Sequence, residues 1–394
     1  MNDTHSIINT GLRGVIIAST KISDVDGAAG RLIYRGYLVQ DLAEKTSFEE
    51  VAYLLLKEAL PNRNQLSTFK SQLTRERVIP KEIIEALKTR PRNALPMDIL
   101  QAAVPMLAHH DPDIRQHTKE ASTRMAIRLI AKLPIVLTAW EHIRNGKEPV
   151  HPSSDLDHAA NFLYMLKGAM PDEEIIRFFD TCLVLHAEHS FNASTFAARE
   201  VASTKAHMYA AVAAAVGSLS GELHGGANIR VMEMLKVIDT IDRIEDYVHR
   251  ELDAGRVIFG LGHAVYQTDD PRAKILEPMS KIMCKRIGEP KWHDISRKLE
   301  IKAKQAFKKR KHIDIFTNVD FYSASLYYAM GIPIDFFTPT FALSRISGWT
   351  AHVLEEQFGE AAPKPVLYRP ESEYIGNYCG PSVCTLIPLE ERSG

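Results

Sequence analysis

Three side chains able to move protons stand in three separate short segments of this 394-residue chain. His224 lies in Gly221-Glu222-Leu223-His224-Gly225-Gly226-Ala227-Asn228, His263 in Gly260-Leu261-Gly262-His263-Ala264-Val265-Tyr266, and Asp320 in Asn318-Val319-Asp320-Phe321-Tyr322. Two imidazoles in glycine-framed turns plus one isolated carboxylate make a general acid–base set suited to removing a proton next to a carbonyl. The glycines let a substrate approach the backbone, and a helix beginning near Asn228 offers unpaired N–H donors to an anion. Asp320 begins a helix whose stripe runs Phe321, Ala324 and Tyr328. The helix dipole there favours the anion by about 0.3–1 kcal/mol, which keeps the carboxylate ionised and makes it a weaker base. Positioning must then make up the deficit.

Anchors for an anionic substrate follow the same logic. Arg272, in Asp270-Pro271-Arg272, can grip a carboxylate in bidentate fashion while His263 polarises a ketone. Arg345 and Arg369 are further anchors, because each buried carboxylate of a dicarboxylate must be paired. His186 and His189 are spaced to share one face of a helix. Zinc is conceivable there, but no cysteine or second histidine pair with ligand spacing accompanies them, so no metal is expected. Anion recognition is the more economical role for His189, and packing for His186. The run Lys302–His312 reads as a solvated helix face or as a patch for the phosphates of a nucleotide-bearing substrate. Taken singly, each residue also has an ordinary reading as a turn histidine, a helix-start aspartate or a surface arginine. Their combination carries the argument.

The elements that must hold these residues are mostly helical. Ser47-Phe48-Glu49-Glu50 is a capping box, followed by an apolar face at Phe48, Val51, Leu55 and Leu56 and a stop at Pro61. Residues 121–144 form a second periodic run, kinked at Pro134. Residues 172–189 form a third, opened by Pro171-Asp172, and alanine-rich residues 205–219 a fourth. Strand-like runs are confined to Val15-Ile16-Ile17 and Leu32-Ile33-Tyr34. Alternating strand–helix units are missing, so the expectation is an all-α fold with a minor N-terminal β element. Glycines at 221–226 make a plausible hinge, and Gly331-Ile332-Pro333 ends the Asp320 helix. The expected layout is a large helical domain, 1–225 and 333–394, with a small domain, 226–332, inserted and a cleft between them.

Bulk properties exclude several classes. Forty-eight basic against 49 acidic side chains give a net charge of −1, which provides no field for nucleic acid or an anionic membrane. No apolar run reaches the ~18–20 residues that span a bilayer. Met1–Ser6 is polar and lacks the layout of a secretory signal. Four sparse cysteines, Cys182, Cys284, Cys379 and Cys384, fit reduced thiols in a cytoplasmic protein. Cys379 and Cys384 are close enough in sequence to pair, and two unlinked thiols are favoured.

In order and wording, these segments closely resemble the citrate synthase family, in its shorter bacterial and archaeal form. The likeness runs over nearly the whole chain, through Arg35-Gly36-Tyr37, Glu49-Glu50-Val51, Ser344 to Glu356 and Arg369-Pro370 to Tyr374-Ile375-Gly376. It implies a helical homodimer whose subunits close a small domain over a large one, and an acyltransferase of the tricarboxylic acid cycle. The implied reaction condenses oxaloacetate with acetyl-CoA to citryl-CoA and hydrolyses that to citrate and CoA, with no cofactor or metal. By the same resemblance Asp320 takes the methyl proton, His224 holds the enol and His263 polarises the ketone. His189, Asn192, Arg272 and Arg345 bind oxaloacetate, with Arg369 supplied by the partner subunit. Val257, Ile258, Phe259, Gly260, Leu261, Gly262 and Lys311 contact CoA. Ser190, Leu261 and Thr317 depart from the common pattern, Thr317 standing where proline commonly precedes the Asn-Val-Asp unit. The nearest alternative is 2-methylcitrate synthase, which uses propionyl-CoA; a non-catalytic metabolite-binding homologue is the alternative from another class.

Overall fold

The computed structural model describes residues 10–12, 14–263, 265–359, 367–376 and 388–391. Sixteen α-helices dominate them, with one three-stranded antiparallel sheet near the N-terminus. The sheet joins Ser23–Asp26, Arg31–Tyr34 and Tyr37–Leu38, with Ser23 opposite Tyr34 and Asp26 opposite Arg31. The expected strand at Val15–Ile17 does not form, and Ile16 is 91% exposed. An apolar triplet needs a paired neighbour, and the hairpin forms instead around the turn where Asp26 Oδ1 accepts the Ala29 N–H at 2.9 Å.

The local helix signals hold in detail. Phe48–Lys57 opens on the Ser47/Glu50 capping box and ends at Glu58, whose φ of 70° lies in the left-handed region. Lys119–Arg144 runs as one helix through Pro134, buried on most sides. Glu173–His186 is capped by Asp172 but stops a turn short of the expected end. His186 and His189 therefore do not share a helix face, and Ser190 takes a φ of 53° where the chain turns away. The alanine-rich helix is Met208–Leu219, capped by His207, whose Nδ1 accepts the Ala210 N–H at 3.1 Å.

Phe337–Phe358 is the central helix. All its residues but Phe341 and Phe358 are buried, and helices 48–57, 119–144, 173–186, 193–203 and 208–219 pack around it. Such all-round burial marks a core element rather than a surface one. The helices Ala227–Ile238, Ile244–Asp253, Pro271–Arg286, Lys291–Lys311 and Val319–Ala329 pack chiefly on one another. Ala227–Ile238 also touches the central helix. Among the described residues no helix is long and apolar enough to cross a membrane. Cys182 and Cys284 are buried free thiols, and Cys379 and Cys384 lie outside the described residues.

Candidate active site

The segments bearing His263, Arg272 and Asp320 are tied together by backbone. Leu261 bridges Thr317 in antiparallel fashion, the Gly262 N–H donates to Phe316 O at 2.7 Å, and the Asn318 N–H donates to Gly260 O at 3.0 Å. The Asp270 N–H donates to Thr317 O at 2.9 Å. Gly260 is required at this junction: its φ is 80°, and a Cβ there would lie 2.5 Å from Cδ2 of Phe321. Gly348 plays the same part behind His189, where a Cβ would meet Glu188 Oε2 at 2.2 Å. The result is one cleft of about 700 Å³. His189, Asn192, His224, His263, Arg272, Asp320 and Arg345 all line it, and so does Gly262.

Hydrogen bonds assign the imidazole protons. The Ser194 N–H, an otherwise unpaired donor in the first turn of the Ala193–Ser203 helix, points at His224 Nε2 at 3.1 Å. With Nε2 accepting, the ring proton stands on Nδ1. Ser194 Oγ lies 2.8 Å from the same nitrogen and accepts from Trp349 Nε1 at 3.1 Å. His263 is held the other way round. Its Nδ1 accepts the N–H groups of Val265 at 3.0 Å and Tyr266 at 3.1 Å, which leaves the proton on Nε2. Each histidine thus has one N–H not committed to the backbone, and turn geometry selects a different nitrogen in each. Burial, with Arg345 nearby, pushes the His224 pKa down to about 4. Burial and then Arg272 bring His263 to about 4. His189 is driven well below the ordinary histidine value by burial, with Arg272, His263 and Arg345 adding. All three rings are neutral at pH 7.

Asp320 occupies the first turn of Val319–Ala329, where Asn318 Oδ1 caps the Asp320 N–H at 3.0 Å. The dipole argument predicts a depressed pKa there, and the outcome is opposite. The carboxylate keeps a partial opening to the cleft, yet burial raises it to about 6, with Asp270 adding and Arg272 and Arg345 opposing. Desolvation outweighs one helix terminus, and the carboxylate becomes a stronger base than the dipole alone would allow.

Arg272 and Arg345 are each 2% exposed and differ in their commitments. Arg272 Nε and Nη2 bind both oxygens of Asp270 at 3.0 and 2.7 Å. Its bidentate edge, expected to face substrate, is thus occupied, and Nη1 remains. Asp270 could have been found in the sequence, since Asp followed by Pro is a helix-start signature and Asp270 caps Pro271–Arg286. Arg345 donates from Nε to His186 O at 2.7 Å and lies 4.6 Å from the Phe341 ring. It forms no ion pair with any described residue, and burial lowers it only to about 10, so it stays cationic. A buried guanidinium without a carboxylate partner is held ready for an anion.

Other expected positions fall outside this set. Arg369 is exposed and does not line the cleft within one chain. Of the run Val257–Gly262 only Gly262 reaches the cleft; Val257 is 63% exposed, while Ile258 and Leu261 are buried. Lys311 is exposed at the end of its helix. His186 packs behind the cleft, with Nδ1 3.0 Å from Tyr327 Oη. Sequence reasoning missed Tyr266, whose hydroxyl lies 3.3 Å from His189 Nε2, and Ser194 and Trp349 behind His224. Their spacing along the chain gives no sign of the contact. His189, His263 and Asp270 bring possible ligand atoms within 4.8 Å of one another. Arg272 holds both Asp270 oxygens and two backbone donors hold His263 Nδ1, so a cation would have to displace a guanidinium; the residues do not fit one.

Comparison with known proteins shows the family. The family model described as "Citrate synthase, C-terminal domain" matches residues 11–371. The citrate synthase of Haloferax volcanii is 43% identical over 98% of this chain and 99% of its own. The 2-methylcitrate synthase of Shewanella oneidensis is 36% identical over the whole of both. Among solved structures, citrate synthase from Pyrobaculum aerophilum superposes with a TM-score of 0.88 at 38% identity, covering 97% of this chain and 95% of that one. That from Thermoplasma acidophilum, in ternary complex with carboxymethyl coenzyme A and oxaloacetate, gives a TM-score of 0.89 at 30% identity over 98% of this chain and 99% of that one. The chain is a member of the citrate synthase family.

Proposed function

We propose that this protein is a citrate synthase that condenses oxaloacetate with acetyl-CoA and hydrolyses the resulting citryl-CoA. The observation that carries the reading is the meeting, in one cleft, of a carboxylate raised to about 6, two neutral imidazoles and a buried unpaired Arg345. Asp320 takes a proton from the thioester methyl. The Nδ1–H of His224 donates to the thioester oxygen as enol character develops. The new carbon nucleophile attacks the ketone of oxaloacetate, whose oxygen takes the Nε2 proton of His263 and becomes the hydroxyl of citryl-CoA. Water then cleaves the thioester to citrate and CoA. Arg345 and Nη1 of Arg272 receive the carboxylates, with His189 and Asn192 beside them. The scheme draws on no cofactor.

Residues 226–332 act in this reading as a small domain closing on the rest, and the backbone from Val257 to Gly262 with Lys311 meets CoA on closure. Arg369 completes the site of a second copy in a homodimer. A cytoplasmic setting fits the two buried free thiols.

The likeness to the Shewanella oneidensis protein favours a second reading, turnover of propionyl-CoA. One methylene separates the substrates, worth about 1–3 kcal/mol of discrimination. Measuring CoA release with oxaloacetate and each thioester in turn decides between them. Acetyl-CoA is expected to give the higher kcat/KM. A propionyl-CoA preference replaces the first reading with the second, and ligand binding without turnover makes the protein a metabolite binder.

A further inference from the structure

We propose that Glu300, acting through Thr317, is a positioning residue for Asp320; this rests on the functional reading above. Among the described residues the Asp320 carboxylate oxygens accept no hydrogen bond, so the backbone must place them. One buried carboxylate holds a side chain on each flank of that segment, the hydroxyls of Thr317 and Tyr322. Glu300, in the Lys291–Lys311 helix, is 6% exposed. Its Oε1 accepts from Thr317 Oγ1 at 2.8 Å and Lys304 Nζ at 2.7 Å. Its Oε2 accepts from the hydroxyl of Tyr322 and, at 2.7 Å, from Arg297 Nη1. Thr317 precedes Asp320 by three residues and Tyr322 follows it by two. Against the upward push of burial, Lys304, Tyr322 and Thr317 hold the Glu300 carboxyl at about 2, so it is a fixed anion.

Thr317 also ties the base to the anchor. Its N–H donates to Asp269 Oδ1 at 2.8 Å, an oxygen that Lys304 holds at 2.6 Å. Its carbonyl accepts the Asp270 N–H at 2.9 Å, next to Arg272. The carbonyl and N–H of Thr317 thus bind the Asp269-Asp270 segment that leads to Arg272, and its hydroxyl binds Glu300. Proline at this position would have neither the N–H nor the hydroxyl. The chain thus uses threonine and Glu300 to set a separation that a stiffer residue could set by its ring.

The experiment compares kcat and the KM for oxaloacetate, with acetyl-CoA saturating, for the parent, Thr317→Val, Thr317→Ser and Glu300→Gln. Thr317→Val should lower kcat on the order of tenfold, since small misplacements of a reacting group are costly. The oxaloacetate KM should stay within about twofold, and Thr317→Ser should recover most of kcat. Glu300→Gln should fall in the same direction as Thr317→Val. Equal losses in the valine and serine variants, or unchanged kcat in the valine and glutamine variants, overturn the proposal. Where Thr317→Val fails to fold, Glu300→Gln decides alone, and an unchanged kcat overturns it. Absence of CoA release from the parent removes the functional reading and this inference together; an active parent with unaffected variants removes the inference alone.

Discussion

At Asp320 two opposing effects can be weighed. The helix terminus favours the anion by about 0.3–1 kcal/mol, while burial acts on the whole charge and carries the pKa up to about 6. The consequence is a pH dependence with a definite sign. A base must be deprotonated to act, so the active fraction rises as pH rises through the folded-state pKa. We expect kcat/KM for acetyl-CoA to climb with pH up to about 6 and then to level off. His224 and His263, both at about 4, are already neutral over that range and should add no second limb above it. A profile that keeps rising through pH 7 to 8 would exclude Asp320 as the group whose ionisation limits the rate.

At the scale of elements, the site depends on a few close backbone approaches. Gly260→Ala places a methyl 2.5 Å from Phe321, one residue beyond the base, and asks alanine to hold a φ of 80°. Overpacking of this kind costs about 1–3 kcal/mol. We expect a melting temperature lower by a few degrees and a kcat that falls by more than the folded fraction does, because relief of the clash moves Asp320. A variant with parental kcat and parental melting would show that the junction yields freely. The same elements show what a sequence can and cannot reveal. Caps are local, so Ser47, Asp172 and the Asn318 segment declared their helices from neighbours one to three residues away. Glycine framing marks the His224 and His263 segments, but Asp320 alone reads as an ordinary helix-start aspartate, and it is the combination and its family resemblance that make the three one set. The Arg272–Asp270 pair is legible too, two residues apart, and it corrects the expectation of an arginine whose bidentate edge is free for substrate. The grip of Glu300 on Thr317 was not legible, since it spans separate elements and no periodicity reports it. Val15–Ile17 failed for a related reason: strand formation needs a partner edge, which composition cannot supply.

At the scale of the whole molecule, the site of a single chain is short of one expected anchor. Arg369 is exposed and does not line the cleft, with Leu367 58% and Ile375 90% exposed in the same stretch. Exposed apolar side chains there invite cover by a second copy, and a twofold pairing would place the same stretch against both sites. The arrangement can be tested without knowing the interface. In the homodimer proposed above, Arg369→Ala and Asp320→Asn should each abolish most turnover when every subunit carries the change. In a mixed dimer whose arginines cross over, one site carries both defects and the other carries none. Subunits dissociated, mixed in equal amounts and reassociated at random form mixed dimers in about half of the molecules. With one intact site of two in each, activity should return to about a quarter of that of the parent. If Arg369 serves its own chain, both sites of the mixed dimer stay defective and mixing restores nothing.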